Sequence, residues 1–300
     1  MRKPLLLAGP TASGKSALAL AVAERDGGMI INADALQVFE VWAILSARPT
    51  AADLARAPHR LYGHLPADHV YSTGKWLTEC RAALQEADAA SLRPIIVGGT
   101  GLNFSALTSG LVDIPPTPPD IRAEADAAGP NRLRAALIQK DPITAARIDL
   151  SNPARVQRAW EVWATTGQSL AKLQDATPPP TLAPDELNAV VLMPDPAWLN
   201  ARIARRFDGM VEGGAVEEVL DWTAAEWPNT LPAAKAIGRR EILAWQNGEL
   251  SRDETITQAI IATRQYAKRQ RTWIRNRFAS WQHLDPAHPI KDLLNAIAPA

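Results

Sequence analysis

Residues 9–16 read GPTASGKS and fit the pattern G-x-x-x-x-G-K-[ST], which wraps an anion in backbone N–H groups at the start of a helix. Gly9, Pro10, Thr11, Ala12, Ser13 and Gly14 supply the cradle, and Lys15 adds a mobile positive charge. The Ser16 hydroxyl suits a hard divalent cation such as Mg²⁺. Enzymes that use such a loop on a nucleoside triphosphate also need a carboxylate at the end of another strand. Two acids follow apolar runs. Asp34 stands in INADALQVF, and Asp195 follows VVLMP, where Pro194 and Pro196 make it read as a helix-entry turn. A third run, PIIVGGTG, ends in glycines, so Gly98, Gly99 and Gly101 mark a place where backbone approaches something closely. On these residues alone a small-molecule kinase remains open.

The elements that must position these groups are legible as a rhythm. Short apolar runs at 4–8, 29–33, 94–98 and 189–193 read as buried parallel strands, with helical patterns at 15–25, 74–90 and 101–109 between them. That is an α/β fold, a P-loop NTPase-like parallel sheet flanked by helices. The rhythm breaks at DIPPTPPD (113–120) and again at TPPP (177–180), and between them every strong pattern is helical. Asn152 can cap a helix with Pro153 at its first position, and Val156, Trp160 and Trp163 recur at helical spacing. We therefore expect a catalytic core over 1–113 and 187–300 and an all-helical insertion over 114–186, hinged at its proline-rich connectors.

Composition narrows the class. With 32 basic and 32 acidic residues in 300 the formal net charge is zero, so affinity for nucleic acid has to come from a local patch. Such a patch exists: residues 255–277 contain no acid, and Arg264, Lys268, Arg271 and Arg275 follow 4-3-4 spacing on one helical stripe. Ile256, Ile260, Ala267 and Ile274 form a neighbouring apolar stripe expected to dock that helix on the sheet. The lone Cys80 makes no disulfide within the chain and fits a reducing cytoplasm. MRKPLLLAG is too short an apolar run for a signal peptide, and no run of about 18 apolar residues could cross a membrane.

Eight blocks then occur in order: GPTASGKS, INADALQVF, PHRL, PIIVGGTGL, NPARVQRAWEVWATTG, RIARRFDGMVEGGAVEEV, KAIGRREI and TRQYAKRQRTWIR. In content and order they resemble the tRNA dimethylallyltransferases, from Leu5 to about Arg277. No Cys/His finger follows, which implies the bacterial form. The resemblance implies transfer of a dimethylallyl group from dimethylallyl diphosphate to N6 of the adenine 3′-adjacent to a tRNA anticodon. The loop 9–16 would hold that diphosphate with the Arg202/Arg206 segment, the pair lying four apart on one helix face and the sequence leaving open which of them reaches the ligand and which is a surface charge, and Mg²⁺ would sit on Ser16. Diphosphate leaves readily only if its growing charge is stabilised. The adenine amine is a poor nucleophile, and a carboxylate taking its proton contributes roughly 10²–10⁴-fold. Asp34 matches the family's aspartate in that role, with Lys15 and Thr100 beside it. Asp34, Ala35, Leu36, Gln37 and Thr100 are implied to meet the target base. Ala154, Arg155, Val156, Gln157 and Arg158, then Lys235, Gly238, Arg239 and Arg240, fall in blocks the family turns to RNA, alongside the basic stripe. The reacting base must be flipped out of its stack. A monomeric cytoplasmic enzyme is expected, with RNA entering between core and insertion.

The chain departs from the family pattern at Ala35, Phe39, Gly63 and Asn103, where a small hydroxyl residue, tyrosine, aspartate and an aromatic residue are usual. A non-enzymatic reading, an RNA-binding P-loop protein with a degraded site, is opposed by the intact Lys15, Ser16 and Asp34, and two rival enzyme readings keep part of this evidence. One is an adenylate isopentenyltransferase, which needs neither the basic helix nor the insertion. The other is the small-molecule kinase, whose signature would be consumption of ATP.

Overall fold

In the computed structural model, residues 2–299 are described. Continuous apolar runs with no polar face can be stable only where both sides are covered, and they form the middle of the sheet. In chain order the first half of the core comprises β1 (Leu5–Ala8), α1 (Lys15–Asp26), β2 (Gly28–Asn32), α2 (Ala51–Leu54), β3 (His59–Arg60), α3 (Thr73–Ala89), β4 (Arg93–Gly98) and α4 (Gly101–Ser109). Five helices follow: α5 (Pro119–Ala128), α6 (Pro130–Lys140), α7 (Pro142–Arg147), α8 (Pro153–Thr166) and α9 (Leu170–Asp175). The core resumes with β5 (Asn188–Leu192), α10 (Pro196–Glu212), α11 (Ala215–Ala224), α12 (Arg239–Gln246), α13 (Arg252–Arg277), β6 (Gln282–Leu284) and α14 (Ile290–Ala296). Six strands pair in the order β3-β2-β4-β1-β5-β6, every pair parallel.

Leu5, Leu7, Ile95, Val97, Val190 and Leu192 share one apolar cluster with Leu18, Ala19 and Val22 of α1 and Leu293 of α14. On α3, the Trp76 indole N–H donates to the Asn32 carbonyl at 2.7 Å. A second cluster joins Val38, Phe39 and Trp42 to Phe207 and Met210 of α10, Val219 and Trp222 of α11 and Ile242 of α12. Helix α13 packs on α10 and α12.

The chain divides into two compact units, one running to Thr108 and resuming at Leu182, the other Ser109–Thr181. The second unit is all helical and has its own core, in which Leu133, Leu137, Val156, Trp160 and Val162 are buried. Asn152 caps α8 through its side chain, accepting from the Arg155 N–H at 3.2 Å, with Pro153 in the first turn. Asp141 is buried because both its oxygens are used, one accepting from Thr144 N–H and the other from Leu170 N–H. No described helix is long and apolar enough to cross a membrane.

Candidate active site

In an all-parallel sheet the carboxyl ends of the strands lie along one edge, and the loops leaving them form a crevice. Here β1 runs into the 9–16 loop, β2 into Asp34 and β4 into Gly98–Gly101. The fourth strand end, after β5, carries Asp195. Its side chain accepts from the Ala197 and Trp198 N–H groups at 2.7 and 3.1 Å, so it is the N-cap of α10.

The glycines of the β4 turn explain themselves by what fills the space of a missing Cβ. A Cβ on Gly98 would lie 2.3 Å from the Ala33 carbonyl group, on Gly99 2.1 Å from Gln270 Nε2, and on Gly101 1.9 Å from the Trp273 indole nitrogen. The close approach expected from the sequence is thus made by the chain itself. Gln270, buried on α13, accepts from Thr11 N–H at 2.8 Å and donates to the Gly99 carbonyl at 3.0 Å. One amide therefore ties the anion loop to the glycine turn.

Helix α10 holds the same loop from the other side. Arg202 Nε donates to the Ala12 carbonyl at 2.9 Å, and Arg206 Nη2 donates to the Thr11 hydroxyl at 2.6 Å. Spacing of four puts both on one helix face, and both reach the loop. Lys15 Nζ donates to the Pro10 carbonyl at 3.4 Å. Burial pushes the Lys15 pKa down to about 8 and that of Arg206 to about 10. Asp34 pulls both up against that loss of hydration, while Arg206 lowers Lys15 further. An anion between these cations would relieve all three strains. The Ser13 hydroxyl is buried without a partner in the same loop.

Asp34 is both a turn acid and a site acid. Its Oδ1 accepts from Leu36 N–H at 3.0 Å, fixing the turn, while its own N–H and carbonyl are held by the buried Asn32 amide. Asp34 Oδ2 accepts from no described residue. The Thr100 hydroxyl accepts from Ala35 N–H at 3.0 Å, locking the β4 turn to the Asp34 turn. Gln37 is otherwise engaged: its Nε2 donates to the carbonyls of Ser46 and Ala47 at 2.8 and 3.0 Å. At Gly63 the place of a side chain is taken by Arg48.

Thr11, Asp34 and Arg206 stand at the wall of a cavity of about 600 Å³. The rest of the wall is mixed, with an apolar patch from Leu36, Phe39, Leu45, Ile203, Phe207 and Met210 and polar or charged groups at Ser46, Tyr71, Ser72, Thr73, Asn103, Thr263, Tyr266 and Arg269. Exposed Lys235 also faces it. Cationic and polar groups beside an apolar patch suit a ligand with an anionic head and a hydrocarbon tail. Among the described residues no group of three or more His, Cys, Asp or Glu can hold a metal ion. The Ser16 hydroxyl is exposed at the start of α1, and a single hydroxyl fits a cation carried mainly by phosphate oxygens and water.

The stripe Arg264, Lys268, Arg271 and Arg275 lines a groove of about 360 Å³ against Pro196, Leu199 and Asn200 of α10. The apolar side of α13 differs from expectation. Thr255, Ala259, Thr263, Ala267, Gln270 and Ile274 are buried, while Ile256 and Ile260 are only half-buried. Two expected RNA contacts need correction. Arg239 is buried, its Nε on the Ala234 carbonyl at 2.9 Å and its guanidinium over the Trp222 ring, so it packs the core while Arg240 faces solvent. Val156 is buried in the helical unit, leaving Ala154, Arg155 and Arg158 exposed, and Gln157 is tied to Asp126 and Glu161. A Cβ on Gly238 would meet the Phe207 ring at 2.8 Å, so that glycine serves packing.

The family described as IPP transferase matches residues 37–277, and one described as isopentenyl transferase matches residues 3–64. A curated tRNA dimethylallyltransferase from Cereibacter sphaeroides is 56% identical over 286 residues, 94% of this chain and 96% of its own. One from Paracoccus denitrificans is 52% identical, covering 93% of each. Among solved structures, a eukaryotic dimethylallyltransferase acting on tRNA superposes with a TM-score of 0.81 at 25% identity, over 95% of this chain and 74% of that one. A full-length tRNA isopentenylpyrophosphate transferase from Bacillus halodurans gives 0.69 at 29%, over 98% and 95%.

Proposed function

This chain belongs to the IPP transferase family, and we propose that it is a monomeric cytoplasmic enzyme moving a dimethylallyl group from dimethylallyl diphosphate to tRNA. The acceptor is N6 of the adenine 3′-adjacent to the anticodon, and diphosphate is released. The observation that carries this reading is the cavity itself. Arg206, Thr11 and Asp34 share this cavity with an apolar patch formed by Leu36, Phe39, Leu45, Ile203, Phe207 and Met210. A nucleotide kinase would need polar walls for ribose at that place, whereas a five-carbon chain is served by apolar ones.

In this reading the loop N–H groups, Lys15, Arg202 and Arg206 hold the diphosphate and stabilise the charge it gains as the C–O bond breaks. A divalent cation held with the help of the Ser16 hydroxyl would supply charge neutralisation at the leaving group. Asp34 Oδ2 takes the N6 proton as the new C–N bond forms. Asn32, Leu36 and Thr100 act on Asp34 by fixing the two turns it depends on. Tyr62 and Tyr266 feel the Asp34 charge, and their pKa values are pushed up by burial and by that carboxylate. RNA phosphates are met by Arg264, Lys268, Arg271 and Arg275, by Arg240 and Lys235, and by Arg155 and Arg158 of the helical unit. Labelled dimethylallyl diphosphate, incubated with unmodified tRNA, places label in RNA, and Asp34→Ala abolishes it. Label in AMP alone, or turnover of ATP without label transfer, overturns the assignment.

A further inference from the structure

Helix α13 turns a second face, distinct from the basic one, toward the chemistry. Thr263, Tyr266 and Arg269 line the cavity, and Gln270, one turn beyond Tyr266, grips Thr11 and Gly99. Residues four apart are neighbours on a helix surface, so Tyr266 sits beside the clamp on the anion loop. The Thr11 it neighbours is fixed twice, its N–H by Gln270 and its hydroxyl by Arg206.

The Tyr266 hydroxyl makes no hydrogen bond to any described residue, although its ring is half-buried and the Arg269 guanidinium lies over it at 5.9 Å. By contrast, the Tyr71 hydroxyl, on the same cavity, is already used on Glu79. Burial and the Asp34 carboxylate keep the Tyr266 phenol protonated at neutral pH. A neutral O–H donor, unused by the described residues and on the same cavity wall as Thr11, Asp34 and Arg206, has a substrate oxygen as its natural partner.

We propose that Tyr266 is a further catalytic residue, its hydroxyl donating a hydrogen bond to the diphosphate oxygen that leaves the prenyl carbon. The C–O bond breaks with its electron pair passing to that oxygen, the C–N6 bond forms, and the N6 proton goes to Asp34. Tyr266 keeps its proton throughout and only shares it with the departing oxygen. This role rests on the diphosphate reading of the loop.

The test uses inorganic diphosphate with Mg²⁺, the full chain and Tyr266→Phe. The wild-type protein binds diphosphate, and Tyr266→Phe weakens that binding about tenfold, as for loss of a hydrogen bond to a charged group. kcat falls about 10²-fold, as for removal of one preorganised donor, while affinity for tRNA is unchanged. The chain has three tyrosines. In 3-fluorotyrosine-labelled protein the ¹⁹F resonance missing from Tyr266→Phe shifts on adding diphosphate, a signal that a purely structural tyrosine would not give. If wild type ignores diphosphate, the loop reading itself fails. If wild type binds it and Tyr266→Phe binds and turns over equally well, Tyr266 is no catalytic residue. A loss confined to tRNA affinity also overturns the proposal, because the hydroxyl then serves the RNA.

Discussion

Gln270→Leu tests how much of the anion cradle is built by a residue far from it in sequence. The leucine keeps the size of the side chain and removes both of its polar groups. That strands the Thr11 N–H and the Gly99 carbonyl, now bonded at 2.8 and 3.0 Å. A buried group left without its partner costs about 1–3 kcal/mol, which bounds the total at about 2–6 kcal/mol. Thr11 and Gly99 are each only half-buried, so water reaches them and the expected loss is about 2–3 kcal/mol. Urea unfolding without ligand should show that difference as a lower midpoint at unchanged slope. Adding inorganic diphosphate at a fixed concentration should stabilise wild type more than the variant, because a cradle with a free Thr11 N–H is less preorganised. Equal stability together with equal diphosphate stabilisation would refute the clamp, since the two hydrogen bonds would then contribute nothing measurable.

The depressed Lys15 pKa gives a pH dependence with a defined sign. If Lys15 holds diphosphate as proposed, its charged form binds, so affinity falls up to tenfold per unit above about pH 8, a break that calorimetry should find and that Lys15→Met removes. Without ligand, the unfolded chain still holds that proton between about pH 8 and 10.5 while the folded one has lost it, so this group adds stability as pH rises through that window. Arg239→Ala and Arg240→Ala should separate cleanly. The first loses stability in thermal unfolding, and the second weakens tRNA binding and lowers its salt slope by about one. Gly98→Ala forces a Cβ into the Ala33 carbonyl, which cannot swing aside as a side chain would. The Asp34 turn should shift, and kcat should drop more than tenfold even where circular dichroism shows a folded protein.

Legibility in the sequence followed the range of the forces involved. The four central strands could be read because their burial is continuous and local in sequence. β3 and β6 could not: His59–Arg60 and Gln282–Leu284 are short, mostly polar edge strands, defined by pairing with β2 and β5 and not by any pattern of their own. The loop between β1 and α1 is a local motif, and its place in the fold was legible. So was the Arg202/Arg206 pair, whose spacing put both on one face, though only the structure showed each bonding the loop. The three glycines announced a close approach, but what approaches lies elsewhere in the chain: Ala33 at Gly98, and Gln270 and Trp273, about 170 residues further on, at Gly99 and Gly101. Charge alone made α13 look like a single basic stripe. Its second face, with Tyr266 and Gln270, carries no charge run to mark it. Arg239 and Val156 were misread for the opposite reason, since block membership says nothing about which way a side chain points.

The two faces of α13 have a mechanical consequence. At 1.5 Å per residue its 26 residues span about 39 Å, and one rigid element carries both the clamp on the diphosphate loop and the stripe facing α10. Arg202 and Arg206 reach the same loop from α10, the helix against which that stripe forms its groove. The side chains that bond Thr11 and Ala12 among the described residues, Arg202, Arg206 and Gln270, therefore come from the α10–α13 pair. The strands set where the loop begins, and these two helices set its shape. An RNA phosphate bound in the groove between them would press on the elements that position the leaving group. Coupling of RNA binding to diphosphate geometry needs no further moving part than the packing of α10 on α13.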